Sequence, residues 1–119
     1  MNIEDEIVAK GLTAPRVTPA DIEAAIVDCY YFTAEDGVKG ALEQLTQLCG
    51  YHKCLGLLTF CVLVLRNGFT VTGESACASP ENFNAEIGRK IARTNAVEKI
   101  WLLEGYLLKQ RLYDGPSAE

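Results

Sequence analysis

A chain of 119 residues, 49% of them hydrophobic, is the size of one domain and holds enough apolar material for a core without disulfide staples. Eleven Lys and Arg against sixteen Asp and Glu give a net charge of -5, and no basic run forms the stripe that a phosphate backbone requires, so nucleic acid is not an expected partner. No window approaches the roughly 18 apolar residues of a membrane span, and Glu4, Asp5 and Glu6 stand where a signal peptide would carry positive charge, so the expectation is a cytosolic protein without a membrane partner.

Residues 1–17 mix charges with Gly11 and Pro15 and show no sustained period, which reads as a flexible arm. A single domain is expected over 18–114, with 115–119 as a tail. Thr18 offers an N-cap, Pro19 the first helical position and Asp21 an acid at N3. Ile22, Ala25, Ile26 and Cys29 keep helical spacing after them, so a helix is expected over about 19–30, closed by the aromatic cluster Tyr30, Tyr31 and Phe32. That cluster serves either as core or as a stacking surface for a planar ligand.

Val38, Leu42, Leu45 and Leu48 recur every three or four residues, which supports a second helix between Thr33 and Cys54, with Gly50 as its stop. The segment from Leu57 to Leu65 is rich in leucine, valine and aromatic residues, Asn67-Gly68 follows, and Phe69 to Ala76 alternates. This pattern predicts a β-hairpin over 57–76 with a type I′ turn. Pairing Arg66 with Phe69 places Phe60, Val62, Val64, Phe69 and Val71 on the core face. Cys61, Leu63, Leu65, Thr70, Thr72 and Glu74 then form a mixed second face, fit for a subunit interface, a ligand floor or cover by the N-terminal helices.

Ser79-Pro80-Glu81 reads as a helix start. Phe83, Ile87, Ile91, Thr94, Val97, Trp101, Glu104 and Leu108 then step by three or four as far as Asp114-Gly115-Pro116. The stripe fits either one long helix or two consecutive ones joined near Thr94-Asn95, and the second arrangement, or a bend, is the expectation because globular helices are shorter. The fold class is therefore α+β: an antiparallel sheet built on the hairpin and packed by the N-terminal and C-terminal helices. Trp101, Phe60, Val62, Val64, Val71, Ile87, Ile91, Ile100 and Leu108 are expected to dominate its core.

Chemical motifs are sparse. His52 is the single histidine, and Cys49, His52 and Cys54, even with Cys61, match no standard zinc spacing, so no metal is expected. The five cysteines are an odd number and read mostly as small buried hydrophobes, reduced in a cytosolic setting. The glycines form neither a P-loop nor a dinucleotide fingerprint, and no nucleophile stands beside a base, so neither a cofactor nor catalysis is expected. Arg89, Lys90, Arg93 and Lys99 concentrate positive charge on the C-terminal helical segment, where guanidinium groups suit phosphate, and Asn95 adds an amide. Glu104 lies on the apolar stripe and calls for a cationic partner, an interfacial Arg or Lys.

The run from Leu65 to Cys77, then Pro80-Glu81-Asn82-Phe83, Glu86-Ile87-Gly88-Arg89, Asn95-Ala96, Lys99-Ile100-Trp101 and Leu103-Glu104-Gly105-Tyr106, resembles a small tailed-phage family labelled by gene product 49 of one phage and gene 66 of another. The resemblance covers roughly 57–112 well and Ala14 to Gly40 more loosely; Cys49 to Cys54 lies outside it. The group in turn looks similar to the Thoeris anti-defence sponges. That likeness implies a homo-oligomer in the host cytoplasm that sequesters a cyclic ADP-ribose-type signalling nucleotide at subunit interfaces without cleaving it. With Phe83 for stacking, Arg89 and Arg93 for phosphate and Asn95 for a polar edge, the ligand residues rest on their chemistry. The alternative function is a protein-binding module acting on a host or phage partner.

Overall fold

A computed structural model describes residues 2–43 and 50–116. Four helices, α1 (Ile3–Ala9), α2 (Pro19–Ala25), α3 (Ala34–Leu42) and α4 (Ala85–Asp114), accompany three strands, β1 (Ile26–Thr33), β2 (Leu58–Leu65) and β3 (Thr70–Ala76), among the described residues. The strands form one antiparallel sheet in the order β1-β2-β3, so the α+β class is as expected. No helix among the described residues is long and apolar enough to cross a membrane.

Residues 3–9, expected to lack regular structure, form α1, because Asn2 and Asp5 close a capping box and three acids occupy the first turn. None of its residues is buried. It is linked to the chain that follows by Arg16, whose Nη1 donates to Glu4 at 3.0 Å. Thr18, Pro19 and Asp21 do start α2 through a capping box, but the helix ends at Ala25. The expected continuation to residue 30 is instead β1. Ile-Val-Asp-Cys-Tyr-Tyr-Phe-Thr is dominated by β-branched and aromatic residues, which fit a pleated surface better than a helix. Thr33 then caps α3 with Asp36 as partner. The remaining residues assigned to that second helix, Leu45 and Leu48, lie outside the described residues.

The hairpin forms, with its turn and register displaced from expectation. Leu65, not Arg66, opposes Phe69: the Leu65 amide donates to the Phe69 carbonyl and the Gly68 amide to the Leu65 carbonyl, both at 2.8 Å. The loop therefore holds three residues, with Gly68 at φ +87° in the left-handed region, as in a type I turn followed by a glycine bulge. That one-residue slip exchanges the faces of β2. Thr59, Cys61, Leu63 and Leu65 are buried, while Phe60, Val62 and Val64 are only half-buried on the opposite face. Val71 stays in the core, as expected, opposite Leu63.

The short turn Pro80–Asn82 only leads into α4, which begins at Ala85 with Asn84 accepting from the Ile87 amide at 3.0 Å. α4 is one unbroken helix of 30 residues, not two, and Gly115 at φ +75° ends it. Its buried stripe is Gly88, Ala92, Ala96 and Ile100. Of the large residues expected inside, Ile100 is buried, but Ile87, Ile91 and Trp101 are exposed and Leu108 is intermediate. The reason is how closely the helix lies on the sheet. A Cβ built on Gly73 of β3 would stand 2.1 Å from the Ala92 carbonyl oxygen and 2.3 Å from the Ala96 nitrogen, so backbone meets backbone there and only small side chains fit. Asn95 locks the contact, its Nδ2 donating to the Glu74 carbonyl at 2.8 Å. Ile22 and Ala25 of α2 complete the core with Cys61, Leu63 and Leu65.

Gly73→Ala is expected to cost about 3 kcal/mol or more, at or beyond the upper end of overpacking, because the obstacle is backbone. Gly40→Ala on exposed α3, where a Cβ meets nothing within 4 Å, is expected to be neutral or stabilising by up to about 1 kcal/mol. Urea unfolding followed by circular dichroism separates the two; equal midpoints would contradict the contact.

Candidate functional site

One cleft gathers aromatic and cationic groups where the end of β1, the start of α3 and the first turns of α4 converge. Tyr31, Phe32, Thr33, Asp36, Thr59, Phe83, Ala85 and Arg89 line a volume of about 100 Å³. β1 supplies Tyr31 and Phe32, and Phe32 leans on Phe60 of β2 with ring centroids 5.5 Å apart at 33°. Phe83 sits on the extended link between the Pro80–Asn82 turn and Asn84. A second small cleft of about 140 Å³ shares Phe83 and Thr59 and continues past Cys77, Ile87 and Ile91.

Electrostatics divide the polar groups by task. Thr33 and Asp36 cap α3 reciprocally, at 3.1 Å to the Asp36 amide and 2.9 Å to the Thr33 amide. The backbone hydrogen bond from Thr33, reinforced by its hydroxyl, holds the Asp36 carboxyl below its usual range, so it is an anion committed to the cap. Arg89 lines the cleft without an ion-pair partner among the described residues. Arg93, one turn further on, is half-buried and bonded to Glu23 of α2 at 3.1 Å, and that hydrogen bond raises its pKa. Asn95 spends its amide on β3.

Of the four residues singled out from sequence, the fold therefore brings Phe83 and Arg89 into one cleft and gives Arg93 and Asn95 partners within the chain. Tyr31 and Phe32 complete the cleft. Their aromatic cluster was visible, but its assignment to a helix end hid the strand that presents them.

Beside the cleft lies a thiol pair, with Cys29 Sγ 3.7 Å from Cys61 Sγ. Burial, then the contact with Cys29, pushes the Cys61 thiol up to about 12, and burial likewise raises the Tyr31 phenol to about 12. Cys61 is fully buried, as small hydrophobes are, whereas Cys54 is exposed. No group of three His, Cys, Asp or Glu that could hold a metal occurs among the described residues, and Cys49 lies outside them.

A larger groove, about 630 Å³, lies at the other end of α4. Ala25, Leu65, Arg66, Asn67, Phe69, Leu103, Glu104, Leu107 and Arg111 line it. Glu104, predicted to need a cation, faces Arg66 Nη2 at 3.9 Å.

These features define a small α+β protein with one long helix laid across a three-stranded sheet and a recess at each end of that helix. The chain belongs to the Phage protein (N4 Gp49/phage Sf6 gene 66) family, whose sequence model matches residues 17–112. No curated protein matches the chain, and no solved structure does.

Tyr31 and Cys61 make the fold sensitive to alkali. Both acid forms are neutral and both folded pKa values lie above the ordinary 10.0 and 9.0, so their contribution is complete below about pH 9 and is lost as pH rises toward about 12. Denaturation midpoints should be flat up to about pH 9 and then fall, with Tyr31→Phe removing part of the fall. Cys61 should resist alkylation at neutral pH while Cys54 reacts; mass spectrometry that finds Cys61 labelled in native protein would contradict its burial.

Proposed function

We propose that this phage protein is a non-catalytic binding protein, working as an oligomer, that sequesters a small signalling nucleotide of the cyclic ADP-ribose type in the host cytoplasm. The observation that carries the proposal is the meeting of Phe83 and Arg89 with Tyr31 and Phe32 in one cleft. Aromatic faces hold a base by stacking, worth about 1–3 kcal/mol per base, and the Arg89 guanidinium, with no ion-pair partner among the described residues, is suited to a phosphate fork. Among the residues lining the cleft, the titratable ones are Tyr31, Asp36 and Arg89, and Asp36 is engaged in capping. Nothing in that lining pairs a nucleophile with a base, which favours retention over turnover.

Size sets a condition on this reading. The cleft holds about 100 Å³, whereas ligand pockets usually run to about 300–1,000 Å³. A nucleotide therefore needs a further wall, and a second subunit supplies it in this reading. The alternative, a module that binds a host or phage protein, is favoured by the apolar groove at the far end of α4.

Native mass spectrometry after exposure to cyclic ADP-ribose isomers is expected to show the oligomer carrying a nucleotide that denaturation releases unchanged. Arg89→Ala should weaken retention roughly tenfold or more, the value of about one charge-assisted hydrogen bond. A released product of altered mass would overturn the non-catalytic reading, and no added mass for any isomer would move the assignment to the protein-binding module.

A further inference from the structure

The binding chemistry of the cleft leaves one reactive pair unused. Cys29 of β1 and Cys61 of β2 lie on neighbouring strands with their sulfurs 3.7 Å apart. Strand register explains the meeting. Tyr31 stands directly opposite Cys61 and Leu63 directly opposite Cys29, so the two cysteines are diagonal neighbours on the ladder. Side chains alternate across a pleated strand, which puts Cys29, Tyr31, Cys61 and Leu63 on one face, the face that is buried in the core.

The two thiols differ in access. Cys61 is fully buried, whereas Cys29, on a strand with a neighbour on one side only, is partly exposed. A small reagent therefore meets Cys29 first, with Cys61 behind it. Burial raises the Cys61 thiol, and the positive charge of Arg93, held by Glu23 at 3.1 Å, works in the opposite direction and favours a negative sulfur. The other described cysteines are placed differently: Cys77 donates to the Ser79 carbonyl at 3.1 Å, and Cys54 is exposed in the short turn Lys53–Leu57.

We propose that Cys29 and Cys61 form a redox-modification site, at which a low-molecular-weight disulfide of the glutathione class converts the two thiols into a cross-strand disulfide tying β1 to β2. Two exchanges complete the reaction. Cys29, as its thiolate, attacks one sulfur of the small disulfide; that S–S bond breaks, and one half departs as a thiolate that takes up the proton Cys29 released. Cys61 then gives up its proton and attacks the Cys29 sulfur, displacing the second half, which leaves as a thiol. Two protein thiols are oxidised to one disulfide, and the small disulfide is reduced to two thiols. The buried Cys61 proton makes the second exchange the slow one. Proximity favours it, because a thiol held 3.7 Å from its target reacts within the molecule at a high effective concentration. The sulfurs close from 3.7 Å to the roughly 2.05 Å of a bond, beside the Tyr31 and Phe32 wall of the cleft. The site rests on strand register and holds whether or not a nucleotide binds there.

Peptide mapping by mass spectrometry of the full chain, after incubation with glutathione disulfide, tests it. Cys54→Ser serves as the background, so that the exposed thiol does not consume the reagent. At equilibrium a peptide pair joined through Cys29 and Cys61 should replace the two free thiols, and dithiothreitol should restore both. Cys61→Ala should stop the reaction at one glutathione on Cys29, and Cys29→Ser should leave Cys61 unmodified. If Cys61→Ala does not fold, Cys29→Ser decides with the unsubstituted pair, since its position is partly exposed. Glutathione that persists on Cys29 at equilibrium with Cys61 present, Cys61 modified in Cys29→Ser, or both thiols recovered free overturns the proposal.

Discussion

Everything else in this fold depends on the close approach of α4 to β3 at Gly73. Helices normally ride on a sheet at the distance set by intervening side chains, but here the Ala92 carbonyl and the Ala96 nitrogen occupy the space a Cβ would need. Dispersion between densely packed backbone atoms replaces the contribution of large apolar side chains, and Asn95 adds a directional bond to the Glu74 carbonyl. The contact fixes the helix in both position and rotation. A turn about its axis in either direction would drive a larger residue into β3.

The two recesses follow from that placement. At its N-terminal end, α4 is held where Arg89 and the preceding Phe83 face Tyr31 and Phe32 at the end of β1. Arg93, bound to Glu23, ties α2 to the same helix. At the C-terminal end the helix leaves the sheet behind, and its core-facing leucines meet open space.

Much of this was readable from residues. Thr18-Pro19 and Asp114-Gly115 marked real ends of helices, and Asn67-Gly68 marked a real hairpin, because capping and turn chemistry act locally. Register was not legible: Asn-Gly serves a two-residue loop and a three-residue loop with a glycine bulge alike, and the hydrogen bond that decides between them closes only in the folded pair. Since β2 is apolar on both faces apart from Thr59, which lies on the buried side, a one-residue slip met no polar pattern that would flag the error. β1 was read as helix because Ile22, Ala25, Ile26 and Cys29 keep a helical period across the point where α2 ends. On α4 the eye follows Ile87, Ile91 and Trp101, whereas the buried stripe is Gly88, Ala92 and Ala96. Size misleads wherever backbones touch. In the cleft, Phe83 and Arg89 were legible from chemistry and local position. The partners of Arg93 and Asn95 depended on long-range packing that no local pattern encodes.

Hydrogen exchange of the full chain, measured by mass spectrometry at low and high protein concentration, tests most directly the claim that one pinned helix carries a core segment and an uncovered extension. Amides of α4 from Gly88 to Ile100, together with β2 and β3, should be strongly protected at both concentrations, while those from Trp101 to Asp114 should exchange faster at low concentration. Uniform protection along α4 at low concentration, or rapid exchange over Gly88 to Ile100, would contradict the account.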